Sequence, residues 1–445
     1  MTVSTEDVLA ARERALRHDL SPTERRRWER VVEYAETRPA DPAAKRIDDL
    51  RAVIGPDVGA DAFSSAGDVL AADVLAAGVT GAADLRVAGA VRELCLAWFA
   101  EDVASAAPLL ELFTGHHRDL EGGPPKPDPS LVQRLRTWLA AGIGSAGDAA
   151  EVTVIAGGFS RLMLDVRWTG GRGVVRVEQD GMFATEGARE VAVMGVLSEH
   201  GYPVPRVLWS EPDASVLGHP FFVIEHVEGA ARTDDGALDH MLRSVADLHA
   251  LPSSAVDAIA GLDGVAPAAS PQTVVEAQLA HWHAVYRSAV AEPIPLLEQG
   301  FAWLRANLPM TGPVVVTHGD PGPGNVLQGP AGVTAVLDWE LSHAGDAAED
   351  WAYLVLIRGR KLASAHEWKA RLRSSVGIEY DESTWRAWEA YNSVKGACVN
   401  LTALDVFRRS ERPTPDMLAI GVAVHLRFLA RVVELTCPPP LRSNA

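Results

Sequence analysis

The chain has 445 residues and 47% hydrophobic content, which is enough for two or three domains with well-packed cores. Its formal net charge of −18 argues against a nucleic-acid-binding protein, because contacts with phosphate need a basic surface. Its three cysteines are widely spaced and no apolar stretch is long enough to cross a membrane, so we expect a cytoplasmic protein without a membrane partner.

The first 120 residues have alanine-rich, amphipathic patterns that predict an all-α N-terminal domain. Capping signals predict one helix over about residues 5–20 and a second over about residues 21–38. The adjacent His116 and His117 would point in different directions on a helix, which argues against a metal site there. The N-terminal domain contains no catalytic motif, so its role stays open.

Residues 121–130 contain four prolines, which disfavour a helix and favour an extended linker. A helix is predicted to start near Ser130 and to end at Gly142–Gly144, where glycines are suited to a helix end. The linker therefore marks a predicted domain boundary.

From residue 151 onwards the hydrophobic pattern changes from a helical period to the alternation of β-strands. Strands are predicted at residues 152–155, 162–168, 174–177, 206–210 and 221–229, with a helix at residues 185–200. This order is typical of the small lobe of a protein kinase, and the mainly helical pattern that follows is typical of the large lobe. We therefore assign residues 131–229 to a small lobe with a leading helix and a hinge, and residues 230–440 to a helical large lobe.

A glycine-rich segment, Gly157-Gly158-Phe159-Ser160, lies between the first two strands. Because glycines let a backbone approach phosphate oxygens closely, the segment is a candidate nucleotide-binding loop. The alternative is a simple hairpin turn. The position of the segment upstream of the motifs described below favours the nucleotide-binding interpretation.

Arg176 and Glu190 form a second candidate for cofactor binding. Arg176 lies on an otherwise apolar strand, and Glu190 is predicted on the inner face of the following helix. A cation fixed by a carboxylate and directed at nucleotide phosphates is what a kinase small lobe supplies. We prefer this interpretation to a solvated strand charge beside an ordinary helix glutamate.

The last predicted strand of the small lobe leads into Glu225, His226 and Val227. In a kinase-like arrangement these residues form the hinge, where backbone N–H and C=O groups contact the adenine ring. They are therefore candidate cofactor-binding residues by position.

The most specific motif is His318-Gly-Asp320-Pro-Gly-Pro-Gly-Asn325, which follows a predicted buried strand. Asp320 and Asn325 have the spacing of the catalytic loop of protein kinases, and Asp338 follows the next predicted strand. We assign Asp320 as the catalytic base, His318 as a brace for the loop, and Asn325 and Asp338 as ligands of Mg²⁺. A chance pattern is the alternative, but the flanking apolar strands and the upstream small-lobe pattern agree with the functional interpretation.

Two further acidic residues, Asp346 and Asp350, follow this motif in the sequence Gly-Asp-Ala-Ala-Glu-Asp. Their position before the next helical segment predicts that they cap or position that helix. We therefore assign them a structural role.

These motifs together resemble the aminoglycoside phosphotransferase/choline kinase superfamily. The matching segments are GGFS at 157–160, VVRV at 174–177, PVPRVL at 203–208, FFVIEHVEG at 221–229, ADLHALP at 246–252, HGDPGPGN at 318–325 and LDWELSHAGD at 337–346. Within the superfamily, the chain most resembles the phosphotransferase-like domains that also occur fused to acyl-CoA dehydrogenases. The first 120 residues match no part of this pattern.

The resemblance implies an α+β, two-lobed, protein-kinase-like fold with an antiparallel sheet in the small lobe and a helical large lobe. It also implies transfer of the γ-phosphoryl group of ATP, with Mg²⁺, to a hydroxyl group of a small molecule. Nearer relatives suggest a hydroxyacyl-CoA or a similar metabolite as the acceptor. The alternatives are an antibiotic resistance kinase and, less favoured because Asn325 and Asp338 are both present, a catalytically inactive binding scaffold.

By the same resemblance, the acceptor pocket is expected within residues 232–300 and 350–430 of the large lobe. Acidic residues in or beside these stretches are candidates to face a cationic antibiotic, and surface charge is the alternative. These residues are Glu349, Asp381, Glu382 and Glu389. Neither the acceptor nor the oligomeric state follows from the sequence.

Overall fold

The structure is a computed structural model. It describes residues 14, 20, 22–37, 96–97, 100–101, 104–110, 127–155, 161–178, 186–290, 293–410 and 414–436. The chain divides into two compact units. We call residues 1–119, 279–308 and 390–445 the helical unit, and residues 120–278 and 309–389 the mixed unit. The domain boundaries expected from the sequence stay a prediction.

The described elements are numbered in chain order. The helices are α1 (Pro22–Thr37), α2 (Pro129–Ile143), α3 (Ser145–Asp148), α4 (Gly187–Glu199), α5 (Asp235–His249), α6 (Ser253–Leu262), α7 (Pro271–Ala289), α8 (Pro295–Asn307), α9 (Ala347–Tyr353), α10 (Ala365–Val376), α11 (Glu382–Arg409), α12 (Pro415–Ala419) and α13 (His425–Thr436). The strands are β1 (Glu151–Val154), β2 (Arg161–Trp168), β3 (Gly171–Glu178), β4 (Val207–Glu211), β5 (Phe221–Glu225), β6 (Val315–Thr317), β7 (Val326–Gly329), β8 (Gly332–Val336) and β9 (His343–Gly345). The strands and the helix predicted from the sequence between residues 151 and 229 are confirmed, with boundaries shifted by up to four residues, the largest shift being the end of β5 at Glu225.

In the helical unit, α1 buries one face whose apolar residues are three apart. Trp28, Val31 and Tyr34 are each 5% exposed or less. Trp28 lies 6.3 Å from the ring of Phe407, and Arg27 pairs with Asp416 at 3.2 Å. The N-terminal region is therefore helical where it is described, and α1 shares a core with helices near the end of the chain.

Parts of the N-terminal prediction lie outside the described residues. Most of the helix predicted at residues 5–20 is among them, as are His116 and His117 and the first six residues of the predicted linker. The helix predicted near Ser130 is present as α2, which begins with a proline in its first turn.

An antiparallel sheet forms the first half of the mixed unit. In the described part of the chain it has five strands in the order β1-β2-β3-β5-β4. Gly170, with a φ of +92°, makes the turn between β2 and β3. In the register of the sheet, Arg176 lies opposite Met163 on β2 and opposite Phe222 on β5.

Helix α4 is amphipathic, and its inward residues are Glu190, Val193, Met194 and Leu197, all buried. Their spacing of three and four residues places them on one face of the helix. Among three apolar neighbours, a buried glutamate needs a cationic partner.

The rest of the mixed unit is mainly helical, with two short antiparallel pairs of strands. β6 pairs with β9, and β7 pairs with β8. Both pairs flank the His318–Asn325 segment, which lies between β6 and β7. None of the described helices combines the length and apolar character needed to cross a membrane.

Candidate active site

The segment between β6 and β7 forms a compact loop, which we call the catalytic loop (residues 318–325). It ends in a 3₁₀ turn, Pro323–Asn325. The Asn325 side-chain amide donates to the backbone carbonyl of Asp320 at 2.9 Å and to its carboxylate at 3.2 Å. The two residues whose spacing suggested a catalytic loop are therefore in direct contact.

Gly319 has a backbone conformation that favours glycine. Its φ is +82°, and a Cβ atom there would lie 2.4 Å from the carbonyl oxygen of Leu341. Both the left-handed backbone and the close approach exclude other residues without a local shift. Gly319 therefore determines the path of the backbone at the start of the catalytic loop.

His318 is 1% exposed, and its Nε2 atom lies 3.0 Å from the carbonyl oxygen of Leu337. Its ring is 4.7 Å from the ring of Trp339. The imidazole thus ties the catalytic loop to both neighbours of Asp338. This geometry favours the bracing role expected for His318 and leaves Asp320 as the base candidate.

Asp350 holds the first two residues of the catalytic loop in place. Its carboxylate accepts hydrogen bonds from the backbone N–H groups of His318 at 2.8 Å and Gly319 at 2.9 Å, and pairs with His249 at 2.9 Å. Burial alone would raise the pKa of Asp350, but the hydrogen bond and charge of His249 outweigh it and lower the pKa to about 2.

The expectation that Asp346 and Asp350 both serve the next helix is therefore half right. Asp346 caps α9 by accepting from the N–H of Ala348 at 2.9 Å. Asp350 instead acts on the catalytic loop. No local pattern indicates this, because its loop partner lies 32 residues earlier in the chain.

Asp338 follows β8 with a φ of +69°, a left-handed conformation that is rare for a residue other than glycine. Its carboxylate lies 3.1 Å from the guanidinium of Arg176. Burial alone would raise the pKa of Asp338, but Arg176 outweighs it and holds the pKa below its usual value. The carboxylate is therefore ionised and directed towards the cation of the sheet.

Arg176 and Glu190 lie together as the sequence predicted. The guanidinium of Arg176 is 3.1 Å from a carboxylate oxygen of Glu190, and both residues are buried. Burial alone would lower the pKa of Arg176, but Glu190 and Asp338 more than offset it. One arginine therefore links the helix α4 to the residue that follows β8.

Sequence reasoning missed Arg161, the first residue of β2. It is 3% exposed and pairs with Glu190 at 3.1 Å and with Glu340 at 3.5 Å. Burial raises the pKa of Glu340 to about 8, and the nearby carboxylates of Asp338 and Glu190 add to the rise. The strand period of two was the available signal, since it places Arg161 and Arg176 on one face of the sheet.

The three hinge candidates differ in whether their polar groups already have hydrogen-bond partners. The Glu225 carboxylate accepts from the N–H of Arg206 at 2.9 Å and from its side chain at 2.8 Å. The N–H of His226 donates to the carbonyl of Arg172 at 3.3 Å. In the part of the chain that the structure describes, the backbone groups of Val227 have no hydrogen-bond partner. Val227 is therefore the candidate for an adenine contact, and the Glu225 side chain is not.

The glycine-rich candidate nucleotide-binding loop cannot be compared in this way. Its residues, Gly157, Gly158, Phe159 and Ser160, lie outside the described residues.

A cation that sequence reasoning also missed contacts the same oxygen of Asp320 as Asn325 does. The guanidinium of Arg358 is 3.4 Å from the Asp320 carboxylate, and 46% of its side chain is exposed. Asp320 raises the pKa of Arg358, and burial of the Tyr353 phenol beside Asp320 raises the pKa of that phenol. Asp320 therefore faces a cation and a hydroxyl group.

Asn325 and Asp338 offer a donor set that fits Mg²⁺. Carboxylate and amide oxygens are its preferred protein ligands, and one or two carboxylates suffice when phosphate oxygens complete the shell. The Asp338 side chain is 33% exposed, and Oδ1 of Asp320 is buried without a hydrogen-bond partner among the described residues. Those residues contain no cluster of three or more His, Cys, Asp or Glu side chains placed to hold a metal ion by itself.

All of these side chains belong to the mixed unit. The model of the phosphotransferase enzyme family matches residues 151–392, which is more than half of the chain. The chain belongs to the phosphotransferase enzyme family. The sheet, the mainly helical remainder and the loop between them are the kinase-like phosphotransferase fold of that family, here with an additional helical region at the N-terminus.

Two curated relatives illustrate the sequence match. The acyl-CoA dehydrogenase family member 10 of Mus musculus is 31% identical over 183 residues, which are 38% of this chain and 16% of the relative. The family member 11 of Rattus norvegicus is 32% identical over 183 residues, which are 38% of this chain and 23% of the relative. The match thus spans less than a quarter of either relative.

Solved structures of phosphotransferases also match. A putative aminoglycoside phosphotransferase from Ralstonia eutropha is 21% identical with a TM-score of 0.49, and the match covers 68% of this chain and 97% of the other. The macrolide 2′-phosphotransferase MphH of Brachybacterium faecium is 20% identical with a TM-score of 0.43, and the match covers 64% and 96%.

Proposed function

We propose that the chain is an ATP-dependent O-phosphotransferase that moves the γ-phosphoryl group of ATP, with Mg²⁺, to a hydroxyl group of a small molecule. The observation that carries this proposal is the contact pattern around the catalytic loop. Asp320 contacts Asn325, and Asp338 contacts Arg176, which in turn contacts Glu190. A base, two oxygen ligands and a fixed cation are the parts that phosphoryl transfer needs.

Each residue has a distinct part in this proposal. Arg176, held by Glu190, binds nucleotide phosphates together with the 157–160 loop, and the backbone of Val227 binds the adenine ring. Asp320 accepts or orients the proton of the acceptor hydroxyl, and His318 and Asp350 hold the loop that carries it. Asn325 and Asp338 would hold Mg²⁺, which would supply positive charge to neutralise the phosphates.

The surroundings of Asp320 favour an anionic acceptor. Arg358 is followed in the same turn by Arg360 and Lys361, both exposed. Neither has an ion pair with any described residue. In a chain whose net charge is −18, one cation beside the base candidate and two more within the next three residues of the chain favour a substrate that carries carboxylate or phosphate groups, such as a hydroxyacyl-CoA.

The same surroundings disfavour a polycationic antibiotic. Three of the four acidic residues considered for that role have other partners. Glu349 is 1% exposed and pairs with His343, Glu382 pairs with Lys369, and Asp381 accepts from the N–H of Thr384. The antibiotic kinase therefore remains the second candidate, and acquired resistance in a susceptible host would support it.

A substrate screen tests the proposal. The purified chain is incubated with MgATP and a panel containing hydroxyacyl-CoA esters, aminoglycosides and macrolides, and ADP formation is measured. We expect turnover with a hydroxyacyl-CoA or a similar anionic alcohol. Since ATP and such esters are cytoplasmic metabolites, we place the reaction in the cytoplasm. ADP formation with an antibiotic alone would favour the second candidate.

A binding measurement separates an enzyme from an inactive scaffold. Calorimetric titration with ATP, with and without Mg²⁺, reports whether the metal contributes to nucleotide binding. We expect Asp338→Asn to remove most of the Mg²⁺-dependent part, because it removes the charge of a metal ligand. Binding that is the same with and without Mg²⁺ in the unsubstituted chain would favour the scaffold.

A further inference from the structure

Arg161 and Arg176 lie on the same face of the sheet, as diagonal neighbours on adjacent strands. Arg161 is opposite Glu178 in the register of β2 and β3, and Arg176 is two residues before Glu178. The ring of Phe222, opposite Arg176 on β5, lies under both guanidinium groups at 5.6 and 5.8 Å. The strand pairing therefore presents two cations side by side over one aromatic ring.

Glu190 contacts both arginines through its carboxylate, and Arg176 also donates to Oε2 at 3.4 Å. Its Oε2 is 3.1 Å from Arg161, and its Oε1 is 3.1 Å from Arg176. The glutamate that a kinase small lobe uses to fix one cation here fixes two. Glu190 and the ionised Asp338 together balance the two arginines. With Asp338 bound to Mg²⁺, as in the function proposed above, the pair would be able to attract an anion.

Several N–H donors of the two guanidinium groups have no hydrogen-bond acceptor among the described residues. Nε, Nη1 and Nη2 of Arg161 and Nε of Arg176 are buried and make no hydrogen bond with any described residue. The nearby carboxylates are close enough for ion pairing but do not align with these N–H groups. Buried donors without acceptors are costly, and phosphate oxygens are acceptors that match an arginine fork.

The chain also leaves room for Arg161 where α4 begins. A Cβ atom at Gly187, the first residue of α4, would lie 3.0 Å from Nη1 of Arg161 and 2.5 Å from the carboxylate of Glu178. The N–H of Gly187 donates to that same carboxylate at 2.7 Å. Glycine at this position therefore lets the helix start close against the arginine.

We propose that Arg161 is a second phosphate-binding cation, acting beside Arg176 on the triphosphate of the nucleotide. The inference rests on the function proposed above and adds a residue to it. Two adjacent arginines bind a highly charged polyphosphate more strongly than a single cation does, and the advantage grows with the number of phosphates. Arg161 should therefore matter most for ATP and least for adenosine.

The test compares the binding of adenosine, AMP, ADP and ATP to Arg161→Gln, Arg161→Lys and the unsubstituted chain, by calorimetry in the presence of Mg²⁺. Arg161→Gln should weaken the binding of ATP about tenfold or more, that of ADP by a smaller factor, and that of adenosine hardly at all. Arg161→Lys should recover part of the loss for ATP, because it keeps the charge but not the fork. Arg167→Gln, an exposed arginine on the same strand, is the matched control and should change none of the four affinities.

Equal losses for adenosine and ATP in both Arg161 variants would show a structural role only and would overturn the inference. Unchanged ATP binding in the variants would overturn it as well. If Arg161→Gln does not fold, as judged by thermal unfolding, the graded loss from adenosine to ATP is required of Arg161→Lys alone. Arg176→Gln separates the two proposals: if it loses ATP binding while Arg161→Gln does not, only the role of Arg161 falls. If the unsubstituted chain binds none of the four ligands, the proposed function falls too.

Discussion

Asp350 shows how one buried carboxylate can organise a catalytic loop. It is fully buried, and it holds two consecutive backbone N–H groups and one histidine. An ionised carboxylate with three donors gains more than it loses on burial, which is why its pKa falls to about 2 instead of rising. The position of Asp320 therefore depends on a residue that need not touch a substrate.

The lowered pKa of Asp350 predicts how stability depends on pH. The folded value of about 2 lies below the ordinary 3.8, so the contribution is complete above pH 3.8 and is lost as the pH falls towards 2. Its size is about 2 kcal/mol at neutral pH. Asp350→Asn should be less stable by at least about that amount at pH 7, and the difference should shrink below pH 4. Urea unfolding followed by tryptophan fluorescence measures this, and a difference independent of pH would contradict it.

Gly319 gives a second prediction at the scale of a residue. Gly319→Ala should destabilise the mixed unit and reduce turnover, because the Cβ would meet the Leu341 carbonyl at 2.4 Å on a left-handed backbone. We expect a loss of about 1–3 kcal/mol in the free energy of unfolding. Gly170→Ala has the same backbone preference with open space around it, and should cost less and leave turnover unchanged. Equal effects of the two changes on turnover would contradict the account.

The catalytic loop as an element is shaped to accommodate Arg358. A Cβ atom at Gly322 would lie 2.7 Å from Cγ of Arg358, whereas a Cβ at Gly324 would meet nothing within 4 Å. The two glycines are two residues apart in one loop and neither has a left-handed backbone. Substitutions at the two glycines therefore form a matched pair. Only the one at Gly322 should displace Arg358, whereas both should reduce the flexibility of the loop.

Gly322→Ala and Arg358→Gln should raise the KM for the anionic acceptor found in the screen about tenfold, with little change in ATP binding. Gly324→Ala should leave both quantities unchanged. The physical reason is that the first two changes displace or remove the cation beside Asp320. Steady-state kinetics with calorimetry for ATP checks this. A rise in KM for Gly324→Ala as large as that for Gly322→Ala would contradict it.

The strands, α4 and the catalytic loop were predictable because their signals are local. The alternation around Arg176 and the spacing from Asp320 to Asn325 are each contained in a few residues of sequence. The contacts of Arg161 with Glu340 and of Arg358 with Asp320 were not predictable, because they join segments whose approach depends on the tertiary fold. Glu225 illustrates the reverse case: its position at the end of β5 was predicted, but the hydrogen bonds of its carboxylate with Arg206 were not.

At the scale of the whole molecule, the first described helix belongs to the same compact unit as the last helices of the chain. Trp28 is 5% exposed, and Arg27 pairs with Asp416. The N-terminal region therefore has a packing role in the helical unit, whether or not it also binds a partner. The candidate active site lies in the mixed unit.

This division predicts that the two units respond separately to substitution. Trp28→Ala should destabilise the helical unit by about 3–5 kcal/mol, since it removes a large buried side chain. ATP binding should be unchanged, because the proposed nucleotide-binding residues belong to the mixed unit. Thermal unfolding and calorimetry measure the two effects, and a loss of ATP affinity in a folded Trp28→Ala protein would contradict this separation.

The central claim is that the catalytic loop transfers phosphate with Asp320 as its base. It is tested most directly by measuring radiolabelled γ-phosphoryl transfer from ATP to the acceptor with Asp320→Ala, alongside MgATP binding by the same protein. We expect transfer to fall by about a hundredfold or more while MgATP binding stays near that of the unsubstituted chain. Undiminished transfer by Asp320→Ala would contradict the claim.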